Sequence, residues 1–320
     1  MELKNHFMKQ KMMTKVLISL IPIYVFSVWL YGLRVLALLA FVLAVGLSAE
    51  YWVMRLIQGP KAKVSEAAIV TSALFTLTLP PTIPFWIAGV GILVALVLAK
   101  GAFGGFGRNI FNPALVGRAF IYISFPVQMT AAWAETYSSL PGGLVRYGIQ
   151  GLTNATPMIA LETTGSLTAV KDLFLGTISG SIGEGSALLI LLAGAYLVYT
   201  KTASLTIMLS VLLSGLGFST LFYLVGWSTV PVAFSILSGG FLFATVFMAT
   251  DPISAPRDKT SQIIFGIIIG FSAMFIRTFA LFTEGIMFAV LIGNSFGPLV
   301  ERTVREMRAT SKAKKEAVNG

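Results

Sequence analysis

The sequence predicts an all-α integral membrane protein: ten transmembrane helices arranged as two inverted five-helix repeats. Three observations carry this. The 320 residues are 56% hydrophobic and only 11% charged, against about 25% charged in a soluble domain. The second half repeats the punctuation of the first. An apolar, Thr-rich segment ending at Leu79-Pro80 is answered by one ending at Asp251-Pro252, and Asn109-Ile110-Phe111-Asn112-Pro113 is answered by Asn294-Ser295-Phe296-Gly297-Pro298. Finally, the basic residues segregate along the chain as a ten-span topology requires.

Runs near 20 residues are long enough to span. Ten are predicted: 16–31, 33–57, 67–81, 83–99, 109–126, 181–199, 203–225, 231–250, 261–281 and 284–300. The third stops at Pro80-Pro81 and reads as a half-helix, because proline cannot continue the backbone ladder. With the N-terminus inside, the cytoplasmic segments hold all the Lys and Arg, Lys100 and Arg118 among them, except Arg34, Arg146, Lys171 and Arg277. Both termini are therefore predicted to be cytoplasmic, in a prokaryotic inner membrane. Five spans per half force the second repeat to be inverted. The expected organisation is residues 1–126 as the first repeat, 127–180 as a trans-side segment, 181–300 as the second repeat and 301–320 as a basic tail. The first apolar run has no small-residue cleavage site, so no signal peptide is predicted.

Cysteine is absent and His6 is the one histidine. Thiolate-held iron–sulfur clusters, disulfides, bis-His haem and His-rich metal sites are thereby excluded from this chain. Redox chemistry here would need an organic cofactor. The net charge of +10 is explained by membrane orientation, and no soluble basic domain offers nucleic-acid binding.

Three groups of residues could carry chemistry. Thr153-Asn154-Ala155-Thr156-Pro157 lies in the trans-side segment; its plain structural reading is an N-cap, with Pro157 opening a helix. The glycines from Gly101 through Gly105 to Gly107 precede Asn109 and Asn112. They follow no strand, so a dinucleotide fold fails. Amides at a helix start suit a heterocycle or an anion, and equally suit capping. Glu50, Glu184, Asp251 and Glu284 fall in or near spans, where ionisable groups are expensive. For Glu184 and Glu284, near the outer surface, snorkelling is the simpler reading.

Taken together, five ordered motifs resemble a family. They are Gly104-Gly105-x-Gly107-x-Asn109-x-Phe111-Asn112-Pro113-Ala114, Ala155-Thr156-Pro157, Gly180-x-Ile182-Gly183-Glu184-x-Ser186, Ala249-Thr250-Asp251-Pro252-x-Ser254 and Glu284-Gly285-x-x-Phe288-Ala289-x-Leu291-x-x-Asn294. The set resembles the membrane D subunit of Rnf electron-transport complexes, whose sister family is the B subunit of the sodium-pumping NADH:quinone reductase. The early first span matches the D subunit, since the sister family carries a long extension before its own. The resemblance implies FMN joined through its phosphate to Thr156, with Thr153, Asn154 and Ala155 in the attachment motif. It implies a second, non-covalent flavin (riboflavin) bordered by Gly105, Asn109 and Asn112. Two positions depart from the family's attachment pattern: Gln150 stands where it has Asp, and Asn154 where it has Gly. The implied function is ferredoxin:NAD oxidoreduction coupled to Na⁺ or H⁺ export. The implied partners are subunits of the Rnf A, B, C, E and G types, together with a flavin-transferring enzyme. Asp251 and Glu50 are the candidates for cation uptake from the cytoplasm. The competing expectation is an inverted-repeat channel or secondary transporter without a redox cofactor.

Overall fold

The structure is a computed structural model. It describes residues 7–319 except 132, 138, 149–150, 154–155, 281 and 283–284. Among the described residues, four helices are long and apolar enough to cross a membrane unaided. They are α1 (Lys11–Tyr31), α2 (Arg34–Gln58), α10 (Leu205–Leu224) and α13 (Lys259–Phe279). Between α2 and α10 come shorter apolar helices: α3 (Glu66–Leu77), α4 (Phe85–Leu93, continuing as a π-helix over Val94–Gly101), α5 (Pro113–Ser124) and α9 (Ala187–Tyr199). Small helices α6 (Pro126–Thr130), α7 (Pro157–Thr164) and α8 (Val170–Leu175) occupy the segment between the halves. In the second half, α11 (Val232–Leu237) is followed by α12, which runs Phe241–Phe243 and continues as a π-helix over Ala244–Met248. The last helix, α14, runs Gly285–Asn319. Two pairs of two-residue strands complete the fold among the described residues. One of them joins Trp133 and Ala134 to Thr153 and Leu152.

Several expected boundaries are corrected. The fifth span starts at Pro113 rather than 109, because Asn112 caps it: its Oδ1 accepts from Ala114 N at 3.1 Å and Leu115 N at 3.3 Å. The sixth starts at Ala187, where Ser186 caps the helix. The eighth is broken, since Gly239 and Gly240 adopt positive φ between α11 and α12, a conformation glycine takes at little cost. The basic tail is not a separate segment, because α14 carries straight on through it. Lys100 and Arg118 are not loop charges either. Both are buried within helices, and each has a carboxylate partner.

Small residues bring the helices close. Gly266 and Gly270 of α13 lie directly against Ser210 and Ser214 of α10, with no room for a Cβ on either glycine. Ser214 Oγ donates across the pair to Gly266 O at 3.0 Å. With apolar lipid all round, such close backbone approach is what holds membrane helices together. The two halves also interlock. Helix α3 stops short, and two carbonyls at its end, Leu77 O and Leu79 O, accept from Gly183 N (2.7 Å) and Ile182 N (3.0 Å) of the later half. A half-helix ending inside the protein needs such partners.

Candidate functional site

Two buried charge centres stand out. We call the one at Lys100 inner, and the one at Arg118, which adjoins the segment between the halves through Thr156, outer.

The inner centre forms where the two π-helices end. A π turn shifts register and often marks a functional position. Here one delivers Lys100 and the other leads to Asp251. Lys100 Nζ donates to Glu50 Oε2 of α2 at 2.6 Å and to Ser65 Oγ at 2.7 Å. Ser65 in turn donates its N–H (3.1 Å) and hydroxyl (2.6 Å) to Glu50 Oε1. The Lys100 and Glu50 side chains are 3% and 2% exposed, so the pair is dry. Asp251 stands apart from it. Its Oδ1 accepts from Ile253 N at 3.2 Å and its Oδ2 from Ser254 Oγ at 3.0 Å.

Between them is a cavity of about 60 Å³, with Thr71, Lys100, Asn109, Asn112, Thr250 and Asp251 as polar lining and Val70, Leu74 and Phe247 among its apolar walls. Asn109 donates its amide N–H to Phe111 O at 3.0 Å; its carbonyl oxygen bonds no described residue. Asn112 caps α5, and its backbone N–H donates to Asn294 Oδ1 at 3.1 Å. Asn294 is fully buried and reaches Ser254 O with its amide at 3.5 Å. It ties the Asn112 loop to the Asp251 loop. The structure thus brings Asp251, Asn109 and Asn112 to one cavity and places Glu50 one bond behind it. Gly105 is elsewhere: its positive φ makes a turn packed on Met54.

The outer centre is built on Arg118 of α5. Its NH1 donates to Glu184 Oε1 at 3.1 Å, and its NH2 to Ser181 Oγ at 3.4 Å. Glu184 does not snorkel. Its side chain is 10% exposed, with Gly240 packed against the carboxylate where a Cβ would clash. Glu184 also lines a cleft of about 20 Å³ with Thr156, Ser179, Gly180, Ser238 and Gly239. Thr156 is half-buried and caps α7, its hydroxyl accepting from Ile159 N at 3.4 Å. Thr153 is seen only through its backbone pairing with Trp133. Asn154, Ala155, Gln150, Glu284 and His6 lie outside the described residues.

Two arginines that break the orientation rule are accounted for by their contacts. Arg34 donates to the carbonyls of Pro81, Thr82 and Ile83, where α3 gives way to α4. Arg277 donates to those of Ser235, Ser238 and Gly239, where α11 gives way to α12. Each guanidinium also lies over the phenylalanine that begins the next helix, Phe85 at 5.0 Å and Phe241 at 5.7 Å. Broken helices expose carbonyls at membrane depth, and these cations satisfy them. Lys100, Arg118 and the clamping role of Arg277 were not read as site features from the sequence, whereas Asn294 stood in a motif. The one available signal was the exceptional placement of Arg34 and Arg277.

The profile of the NQR2, RnfD, RnfE family matches residues 3–310. The chain belongs to that family. Among its relatives is the B subunit of the Na(+)-translocating NADH-quinone reductase of Azotobacter vinelandii (strain DJ / ATCC BAA-1303), 39% identical over 267 residues, which are 79% of this chain and 63% of that protein. The protein of the same name from Pseudoalteromonas atlantica (strain T6c / ATCC BAA-1087) is 38% identical over 268 residues, 80% of this chain and 64% of the other. That of Stutzerimonas stutzeri (strain A1501) is 39% identical over 267 residues, 79% and 63% of the two chains. This family member therefore spans less than two thirds of the length of these relatives.

Proposed function

We propose that this chain is the membrane subunit of an ion-translocating electron-transport complex in a prokaryotic inner membrane, carrying FMN on Thr156. The half-buried Thr156 hydroxyl at the start of α7 is the observation that carries the reading. A phosphate esterified there would face the N–H groups and positive dipole end of the first helical turn. The adjoining cleft is walled by small residues, Gly180, Gly185 and Gly239 among them. It holds little more than a water, so a ring system would rest over it rather than within it. The residues present fit a phosphate-linked group, with Thr156 holding it and the α7 N-terminus neutralising its charge.

FMN, when bound, supplies the electron-carrying chemistry that a chain with no cysteine and one histidine lacks. The protein's own part is electrostatic. Arg118 and Glu184 keep the wall beneath Thr156 fixed, and Arg277 holds the carbonyls of its far side. At the inner end Asp251 is the acid left to take a cation or proton, because Glu50 is committed to Lys100 and Ser65. Moving one charge against 100 mV costs about 2.3 kcal/mol. About 30 mV of two-electron driving force supplies roughly 1.4 kcal/mol, so a modest potential gap suffices for export of Na⁺ or H⁺.

The ten-span inverted repeat with cytoplasmic termini remains the architecture of this reading. It is supported by a parallel: Lys100 near the end of α4 ties the start of α3, and Arg277 near the end of α13 ties the approach to α12. A second flavin at Asn109 and Asn112 gains no support from the packing. About 60 Å³ falls short of the roughly 300 Å³ of a small-molecule pocket, and Asn112 is spent on capping. No step is routed through one.

The motif set favours the ferredoxin:NAD type of complex, with Rnf-type partner subunits. The relatives' names favour a second reading, an NADH:quinone type. Reduced ferredoxin and quinone, offered in turn to the purified complex, separate the two. In-gel flavin fluorescence of the denatured chain beside Thr156→Ala tests the cofactor. Fluorescence in the parent alone is expected. None in either, in a host with the flavin-transferring enzyme, would overturn the covalent reading and favour a transporter without cofactor.

A further inference from the structure

We propose that Lys100 is the specificity-determining residue of the inner cavity: it fixes the cavity's charge so that one monovalent cation is taken and a divalent cation is refused. The inference rests on Asp251 being the cation's carboxylate.

The charges at the cavity can be counted. Lys100 lines it and is 2% exposed, as is Glu50 behind it. Two of the three ammonium donors are used, on Glu50 and Ser65. The third has no described acceptor. Glu50 is therefore compensated. Asp251 forms no ion pair with a described residue; its hydrogen bonds are to the Ile253 N–H and to Ser254, and it feels Lys100 only through space. One negative charge on this cavity wall, half-buried, has no ion pair among the described residues, and a partly desolvated charge favours a partner. Uncharged oxygens suited to a hard cation line the same cavity. The Asn109 carbonyl and the Thr71 hydroxyl bond no described residue, and both side chains are over nine-tenths buried.

A monovalent ion at Asp251 leaves the set neutral. A divalent ion would leave it positive, facing the Lys100 ammonium at twice the repulsion. The adjoining inner mouth carries Lys201 and Arg257 and no acid, which penalises divalent ions in the same way. Lysine suits the role as a compact charge with three donors.

The test is retention of ²²Na⁺ and ⁴⁵Ca²⁺ by the purified membrane complex, compared across variants. The parent should hold ²²Na⁺ and exclude ⁴⁵Ca²⁺. Lys100→Met leaves two unmatched carboxylates and should tighten ⁴⁵Ca²⁺ by about tenfold or more. Glu50→Gln leaves Lys100 to neutralise Asp251 and should hold neither ion. The double variant K100M/E50Q again leaves one carboxylate and should restore sodium alone. It also leaves no buried charge unpaired by the substitution, so it is the informative protein where Lys100→Met fails to accumulate. Unaltered discrimination in Lys100→Met, or no return of sodium in the double variant, overturns the role of Lys100. A parent that holds no ²²Na⁺, or holds it equally well as Asp251→Asn, overturns the cation reading of Asp251 instead.

Discussion

The inner and the outer centre each bury a cation against a carboxylate, yet they do it differently. At the inner end Lys100 and Glu50 are sealed at 3% and 2% side-chain exposure, and a second acid, Asp251, is left facing the cavity. At the outer end Arg118 and Glu184 sit at 5% and 10%, against a cleft that Thr156 closes from the trans-side segment. The residue types follow. A point-like ammonium bonded to a carboxylate and a hydroxyl serves a site that must count charge. Planar guanidiniums, with fixed forks of donors, serve the outer centre: Arg118 holds Glu184 and Ser181, and Arg277 holds carbonyls of a broken helix. In the proposed reading the inner centre exchanges a cation and the outer one stays rigid under an attached group.

Breaking the inner pair sharpens the contrast most. Lys100→Ala should cost about 3–5 kcal/mol by leaving Glu50 buried alone, while a double apolar replacement of Lys100 and Glu50 should come near neutrality. Detergent-solubilised thermal unfolding measures both. Arg118→Met should cost less, about 3 kcal/mol, because Glu184 is nearer water. If it cost more than Lys100→Ala, the ranking of the two ends would be reversed. Asn294→Ala removes the amide that joins the Asn112 and Asp251 loops and should cost about 1–3 kcal/mol. Its sodium retention should fall with it, whereas Thr156→Ala should leave sodium retention unchanged.

The smallest effect belongs to the inner surface. Asp258 caps α13, and the backbone N–H of Ser261, with Arg308 and the N–H of Thr260 adding to it, holds its carboxyl below the usual range. A carboxyl depressed in the folded state contributes stability above its unfolded value, about 3.9. That contribution is lost as pH falls through the lower folded value. A slight loss of stability below about pH 4, absent in Asp258→Asn, is the expected outcome of thermal unfolding against pH.

Legibility differed by residue. That Asp251 and Thr156 stand at breaks between helices could be read because each sits in a short, punctuated motif. Pro252 and Pro157 mark helix ends that the chain itself imposes. Asn112 was readable as a cap for the same reason. Lys100 and Arg118 were not: counted along the chain, they look like orientation charges beside loops. Their burial depends on Glu50 lying 50 positions and Glu184 lying 66 positions away, separations that no local pattern reports. The break at Gly239 and Gly240 was missed because an apolar run reads as continuous whether or not its backbone turns.

The sequence by itself determined the solvent of this protein and most of its helices, because apolar length and proline placement act locally and bilayer insertion is additive along the chain. It also determined the family, through five motifs kept in order. Only the tertiary structure decided which charges are neutralised. An ion pair in a membrane interior is set by what faces it across helices, and that juxtaposition makes Glu50 a structural anion, Asp251 an available one, and Lys100 the residue between them.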